Sequence, residues 1–250
     1  MECITSVKND RVRFLAKLKE KKFREENGLY LIEGVKIIRE AVDAGEKIVW
    51  LVCDDRQKAM LDEIKAKHKM FVRPHVLAHI SNLKSPPGIL AAVQMRKNPT
   101  EDMRGLWVLL DGVADPANAA SIVRSADAAG FAGVIFADGV DIYNEKFLRA
   151  AMGSNYHITL SVAGDKIADI RCLKEKGFAF IAACVAGRDD ISTTAENVVL
   201  VVGNEANGIS AAVLDLCDKH VSIPLYGKAE SLNAACAASV LMYALRGFVK

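Results

Sequence analysis

The second part of the chain alternates short, almost uninterrupted apolar runs with segments of helical periodicity. The runs occupy residues 106–110, 134–136, 178–183, 198–202 and 220–223. Strands that are apolar at nearly every position are typical of a parallel sheet that is covered by helices on both faces. The last helix, predicted over 233–248, is apolar around most of its surface, which favours burial on several sides, including a subunit interface.

The first part of the chain predicts a separate α/β module over residues 1–97. Its elements are a basic amphipathic helix at 10–22, an apolar run at 29–32, a helix at 34–44, a run at 48–53, a charged helix at 55–67, a strand at 70–73 and a run at 89–93. The polar stretch after this module contains Pro99 and is the best linker candidate. We therefore predict a first domain at 1–97, a linker at 98–104 and a second domain at 105–250.

The balance of basic and acidic residues changes near the same boundary between the two predicted domains. Residues 1–98 contain 20 Lys and Arg against 13 Asp and Glu, whereas residues 99–250 contain 13 against 18. The first domain is thus the better candidate for binding a polyanion, although a charged run can also be a solvated helix face. The candidate RNA-binding residues lie in its densest basic cluster and are Lys8, Arg11, Arg13, Lys21, Lys22 and Arg24.

Several classes of protein are disfavoured by the sequence. The six cysteines show no C-x-x-C spacing, so we interpret them as small buried residues and expect no metal. No apolar stretch reaches spanning length and the first ten residues lack the core of a secretory signal, so we expect a cytoplasmic protein without membrane contact. No G-x-G-x-x-G follows a strand, which argues against a nucleotide-dependent oxidoreductase.

Three loops after apolar runs contain the candidate chemistry, because ligands of parallel sheets bind beyond the carboxyl ends of the strands. The first loop leads through Asn118 into a helix containing Arg124; Asn118 could simply cap that helix, and Arg124 could pair with a surface acid. The second loop contains Glu205 between Gly203 and Gly208, and Glu205 could be no more than a carboxylate at a helix start. The third contains Ser231, a natural N-cap, ahead of Asn233.

Taken as a set, these loops resemble the three motifs of the SpoU (TrmH-like) branch of the SPOUT RNA 2′-O-ribose methyltransferases. The matching stretches read L-D-G-V-A-D-P-A-N with R-S-A-D-A-A-G-F, then V-V-G-N-E-A-N-G-I-S, then I-P-L-Y-G-K-A-E-S-L-N-A-A. Residues 1–97 are similar to the small α/β domain, like ribosomal protein L30e, that often precedes the catalytic domain in this family and binds RNA.

The resemblance implies a parallel-sheet α/β/α domain with a trefoil knot, a homodimer and S-adenosylmethionine as cofactor. The implied cofactor-binding residues are Gly203, Asn204, Ile223, Leu225 and Leu232. The implied catalytic residues are Arg124, Asn118, Glu205, Ser231 and Asn233, and Arg124 is expected to reach the pocket together with residues of the other subunit. Ala117, Ala119, Ala120 and Asn204 depart from the common pattern. The departures leave Asn118, Arg124, Glu205 and Asn233 intact.

The implied reaction is methyl transfer to a ribose 2′-hydroxyl of a structured RNA, with 23S rRNA favoured over tRNA by the first domain. A guanidinium is always protonated, so we interpret Arg124 as a clamp on a phosphate and a stabiliser of the developing oxyanion. The proton acceptor stays open between a phosphate oxygen and water. A tRNA 2′-O-methyltransferase, a base methyltransferase and a non-catalytic RNA-binding scaffold are the alternatives.

Overall fold

The computed structural model describes residues 2–97, 103–187 and 190–248. They form two compact units. The first contains the described residues up to Lys97 together with Tyr143–Arg149, and the second contains the others. Part of the predicted linker, residues 98–102, lies outside the described residues.

The first unit is built on a mixed sheet in the order β1-β4-β3-β5-β2. Its strands are β1 Cys3–Ile4, β2 Leu29–Glu33, β3 Ile48–Cys53, β4 His68–Val72 and β5 Ile89–Gln94. Its helices are α1 Asp10–Lys17, α2 Lys21–Asn27, α3 Val35–Asp43, α4 Met60–Glu63 and α5 Pro74–Ile80. A core cluster that includes Val12, Val52, Met70 and Leu77 joins α1 and α5 to the sheet.

Two helices predicted in this unit are shorter than expected. The basic helix at 10–22 is broken after Lys17, and α2 begins at Lys21. Arg24 explains the break, because its guanidinium donates to the carbonyls of Leu18 at 3.2 Å and Lys19 at 2.8 Å, which are left without helical partners where α1 ends. Between 55 and 67 the structure has a 3₁₀ turn at Asp55–Gln57 and the single turn of α4 instead of one charged helix.

The second unit contains a six-stranded sheet in the order β11-β9-β10-β6-β7-β8, and every strand pair in it is parallel. The strands are β6 Leu106–Asp111, β7 Gly133–Ala137, β8 Thr159–Val162, β9 Ala179–Ala183, β10 Val198–Gly203 and β11 Lys219–Val221. The central strands β6 and β10 are buried at every residue. The predicted parallel α/β fold is therefore confirmed.

The helices of the second part of the chain are α6 Pro116–Ala128, α7 Glu145–Ala151, α8 Ser154–His157, α9 Lys166–Glu175, α10 Ala211–Leu214 and α11 Ala234–Phe248. Helices α6 and α11 pack together, and the hydroxyls of Ser125 and Ser239 lie 2.7 Å apart between them. Within the described ranges, no helix is both long and apolar enough to span a membrane.

Candidate active site

A cleft of about 440 Å³ opens where β9, β10 and β11 end. Backbone and apolar side chains form much of its wall, and Glu205 with Asn233 brings polar groups to it. All five predicted cofactor-binding residues line this cleft: Gly203, Asn204, Ile223, Leu225 and Leu232. Its volume lies in the range typical of small-molecule sites, and its position beyond the carboxyl ends of parallel strands is the one expected for a ligand of this architecture.

The second loop turns back on itself at the wall of the cleft. The backbone N–H and C=O of Asn204 pair with those of Gly208 at 3.0 and 2.9 Å. A Cβ atom on Gly203 would lie only 2.2 Å from the backbone carbon of Gly208 and the nitrogen of Ile209. Glycine is therefore required at position 203 by the tight turn itself, and the turn exposes backbone at the cleft.

Glu205 connects the first and second loops. Its carboxylate accepts hydrogen bonds from the side-chain amide of Asn118 at 2.8 Å and from the backbone N–H groups of Ala114 and Asp115 at 3.3 and 3.4 Å. Desolvation raises the pKa of this carboxyl, but the hydrogen bonds from Asn118 and from the backbone outweigh it and leave the pKa below its ordinary value. Glu205 is therefore ionised at neutral pH.

The third loop joins the same network through Asn233. The side-chain amide of Asn233 donates to the carbonyl oxygen of Asn118 at 3.0 Å. One chain of hydrogen bonds thus runs from Glu205 through Asn118 to Asn233, and it ties together residues that are 87 and 115 positions apart in the sequence. Ser231 lines the cleft beside this chain.

The helix caps differ from the prediction. Helix α6 begins at Pro116 and is capped by Asp115, whose carboxylate accepts from the backbone N–H of Ala117 at 3.0 Å. The alternative in which Asn118 simply caps this helix is wrong, and its side-chain amide is free to join the network between the loops. Similarly, Asn233 caps α11 by accepting from Ala235 at 2.9 Å, so Ser231 is not the cap.

Below the loops lies a buried carboxylate that the sequence does not single out. Asp111 ends β6, is 3% exposed, and accepts from the Lys166 ammonium at 2.8 Å and from the backbone N–H of Ser210 at 2.7 Å. Desolvation raises the pKa of Asp111, but these hydrogen bonds prevail and lower it. A charged residue at the end of an otherwise apolar strand was the available signal. Asp111 joins the base of the first loop to the segment after the second.

Asn204 lines the cleft and also forms hydrogen bonds within and between the loops. Its side-chain amide donates to the carbonyl of Gly112 at 2.9 Å, and its side-chain oxygen accepts from the N–H groups of Ala206 and Asn207, both at 3.0 Å. These contacts connect the first loop to the second. We infer that Asn204 contributes mainly by holding the loops in place.

Arg124 is the one predicted catalytic residue that the structure leaves apart from the others. It is exposed on α6, is not among the cleft-lining residues, and makes no hydrogen bond or ion pair with any residue that the structure describes. The alternative in which Arg124 pairs with a surface acid has no support in the described part of this chain. The guanidinium is therefore available to a ligand or to a second protein chain.

The cleft also contains the thiol of Cys184. Burial raises the pKa of this thiol, which keeps it protonated at neutral pH. A protonated thiol is a poor nucleophile, so the cleft can hold an electrophilic ligand without a competing thiolate.

Within the described residues, no three His, Cys, Asp or Glu side chains group as metal ligands.

The basic residues predicted to bind RNA do not all reach the surface. Lys8, Arg11, Arg13, Lys21 and Lys22 are exposed in the first unit. Arg24 is only 7% exposed and is used by the carbonyls at the end of α1. Its assignment to an RNA-binding surface is therefore wrong, because this arginine is part of the turn between α1 and α2.

Two family models match this chain. Residues 105–243 match the SpoU rRNA methylase family, which covers the cleft and all three loops. Residues 9–91 match the MRM3-like substrate binding domain, which covers most of the first unit.

One characterised relative and two solved structures match the chain over almost its whole length. The chain is 33% identical over 251 residues to RlmP, the 23S rRNA (guanosine(2553)-2′-O)-methyltransferase of Bacillus subtilis. The match covers 99% of this chain and 100% of that protein. The structure of the SpoU methyltransferase AviRb from Streptomyces viridochromogenes in complex with AdoMet has a TM-score of 0.86 and 28% identity, covering 96% of this chain and 98% of that one. An AdoMet-bound rRNA methyltransferase from Sinorhizobium meliloti has a TM-score of 0.87 and 29% identity, with 100% and 98% covered.

Proposed function

Because the chain belongs to the SpoU rRNA methylase family, we propose that it transfers the methyl group of S-adenosylmethionine to a ribose 2′-hydroxyl of 23S rRNA. It is an S-adenosylmethionine-dependent RNA methyltransferase with the SPOUT fold. The observation that carries the proposal is the chain of hydrogen bonds through Glu205, Asn118 and Asn233, which joins three loops at the edge of one cleft.

The residues of the cleft fit the cofactor. An apolar wall including Ile223, Leu225 and Leu232 suits the uncharged parts of a nucleoside, and backbone exposed at Gly203 provides hydrogen-bonding groups. When bound there, S-adenosylmethionine supplies an electrophilic methyl group on a sulfonium.

Methyl transfer to a hydroxyl is an in-line displacement, so the protein must orient the hydroxyl and stabilise the charge that develops on its oxygen. We assign the orientation to the amides of Asn118 and Asn233 and to the hydroxyl of Ser231. Glu205 acts on these amides as a positioning residue, because its lowered pKa makes it a weak base. The guanidinium of Arg124 clamps a neighbouring phosphate, and the proton leaves to water or to a phosphate oxygen.

Arg124 reaches the reaction only if a second subunit completes the site, so we propose a homodimer. Helix α11 presents a row of exposed residues at spacings of three and four that includes Cys236, Val240 and Tyr243, with Val240 50% and Tyr243 58% exposed. Apolar residues repeated along one helix face favour contact with another protein surface. This face belongs to the helix that packs against α6, which carries Arg124.

The first unit contributes affinity for the RNA in this proposal. Its exposed lysines and arginines supply contacts to phosphates, which raise affinity without reading sequence. Ribosomal RNA is favoured over tRNA because RlmP acts on 23S rRNA and resembles this chain over both units. The enzyme is expected to work in the cytoplasm. The trefoil knot stays a prediction.

The deciding experiment is methyl transfer from labelled S-adenosylmethionine to ribosomal RNA and to tRNA, followed by nuclease digestion and mass spectrometry of the nucleosides. We expect a methylated ribose in rRNA. Mass gained on a base would identify a base methyltransferase. Mass gained on tRNA alone would identify tRNA, and not rRNA, as the substrate. If neither RNA gains a methyl group while RNA binding is intact, the protein is a non-catalytic RNA-binding scaffold.

A further inference from the structure

A second cavity, of about 370 Å³, lies in the first unit between α1 and α2. Its walls are formed by Asp10, Arg13, Phe14, Lys17 and Phe23. The rings of Phe14 and Phe23 meet edge to face, with centroids 5.4 Å apart and an angle of 68° between their planes. Both rings pack against the core but are only partly buried, so they form a groove that is open to solvent.

The groove is surrounded by positive charge. Lys17 places its ammonium 5.7 Å from the ring centroid of Phe23, and Arg11, Lys21 and Lys22 are exposed on the same two helices. The acids of α2 neutralise this charge only weakly. Lys21 and Lys22 approach Glu25 and Glu26 only at 3.8 and 4.0 Å, and such exposed pairs contribute little binding energy.

We propose that this aromatic groove binds an unpaired nucleobase of the RNA, which stacks on Phe14 or Phe23 while the surrounding cations hold its phosphates. Aromatic rings next to basic side chains are the combination by which proteins bind single-stranded nucleic acid, because every base has a face that can stack. A surface for phosphates alone needs no ring. The inference rests on the proposed function, since it takes RNA as the ligand.

The occupant is single-stranded RNA because of the way the groove is built. In a duplex the base faces are covered by stacking, so only unpaired nucleotides offer a face to Phe14 or Phe23. Asp10 also lines the groove, and its carboxylate takes up part of the charge of Arg13 at 2.7 Å. The charge of Arg13 is therefore partly used within the groove, and Arg11, Lys21 and Lys22 are the exposed cations left to contact phosphates.

The test uses the full chain and fluorescence anisotropy with two probes, labelled oligouridylate and the same strand annealed to oligoadenylate. Phe14→Leu and Phe23→Leu keep apolar volume but remove the ring. We expect each to weaken binding of the single strand by about 5- to 150-fold while leaving the duplex unchanged. Phe14→Tyr, which keeps a ring, should restore the affinity.

Trp50→Leu is the matched control, because Trp50 is a partly buried aromatic residue packed against the same core and lies outside the groove. It should bind both probes as the parent does. The salt dependence of binding should be unchanged by either phenylalanine variant, whereas Lys21→Ala should reduce it. Equal losses on single strand and duplex, or none on either, would overturn the groove proposal.

The proposed function and the groove proposal can be contradicted independently of each other. A parent protein that binds oligouridylate through Phe14 and Phe23 but never methylates ribosomal RNA would contradict the catalytic proposal alone. A protein that methylates rRNA, with both leucine variants binding oligouridylate like the parent, would contradict the groove alone.

Discussion

Replacing Glu205 by Gln tests whether the hydrogen bonds between the loops serve the reaction. A glutamine keeps the shape but offers one acceptor oxygen, so its amide group must face at least one of the N–H donors of Ala114, Asp115 and Asn118. A hydrogen bond to a charged acceptor contributes about 1.5–3 kcal/mol, and exposure of Glu205 together with the two long contacts places the loss near the lower limit. We therefore expect a cost of about 1–2 kcal/mol, which corresponds to about a 5- to 30-fold fall in kcat/KM.

The affinity for S-adenosylmethionine should hardly change in this variant, since the cofactor is assigned to other parts of the cleft. Methyl transfer under single turnover and calorimetry of cofactor binding measure the two quantities separately. Glu175→Gln, an identical change at an exposed position of α9, is the control. The lowered pKa of Glu205 means that its contribution is complete above the ordinary carboxyl pKa and is lost only as pH falls through the lower folded value. Unchanged turnover, or an equal loss of cofactor affinity and turnover, would refute the reasoning.

Three further changes test other parts of the account. Arg124→Ala should abolish turnover and spare cofactor affinity by calorimetry, because the guanidinium lies outside the cleft in the single chain; parallel losses would contradict its assignment. Asp111→Asn should lower the free energy of unfolding by about 2–3 kcal/mol, or Tm by about 5–10 °C, since it breaks the ion pair of a buried carboxylate with the partly exposed Lys166 while keeping the contact to Ser210. That difference should shrink as pH falls through the lowered pKa of Asp111. Tyr243→Glu should convert a dimer to monomers in sedimentation and reduce turnover; a parent monomer that is fully active would refute the dimer.

The apolar pattern was enough to predict most of the sheet in the second unit. Buried parallel strands are apolar at nearly every position, so five of the six strands coincide with predicted runs. The exception is β8, Thr159–Val162, which lies at the edge of the sheet and has only one buried residue, Ser161. A strand of four residues with two hydroxyl side chains carries too little hydrophobic signal to be distinguished from a loop.

Local chemistry was less predictable than the strands. Asp115 and Asn118 are both residues that cap helices, and the proline at position 116 was the signal that α6 begins there. Arg24 lies within a basic run, and only the packing of α2 against the end of α1 shows that it is buried. Periodicity predicts which residues share a face of one helix, but it cannot predict which carbonyls of another element need a donor.

The candidate site could be predicted as a set of loops but not as a geometry. The order of the strands brings Asn118, Glu205 and Asn233 together, and their spacing in the sequence contains no distance information. Arg124 lies outside the cleft of its own chain. Its predicted role in the reaction therefore requires a second subunit. The ion pair between Asp111 and Lys166 depends on the start of α9 lying near the end of β6, which the sequence pattern does not reveal.

The proposed function depends most directly on the cleft bounded by Gly203, Ile223 and Leu232 holding the methyl donor. The most direct test is a crystal structure of the full chain grown with S-adenosylmethionine. We predict that the donor occupies this cleft, against the backbone of the second and third loops and next to the amides joined by Glu205. A cleft that stays empty at saturating cofactor, or a donor bound elsewhere on the chain, would contradict the account.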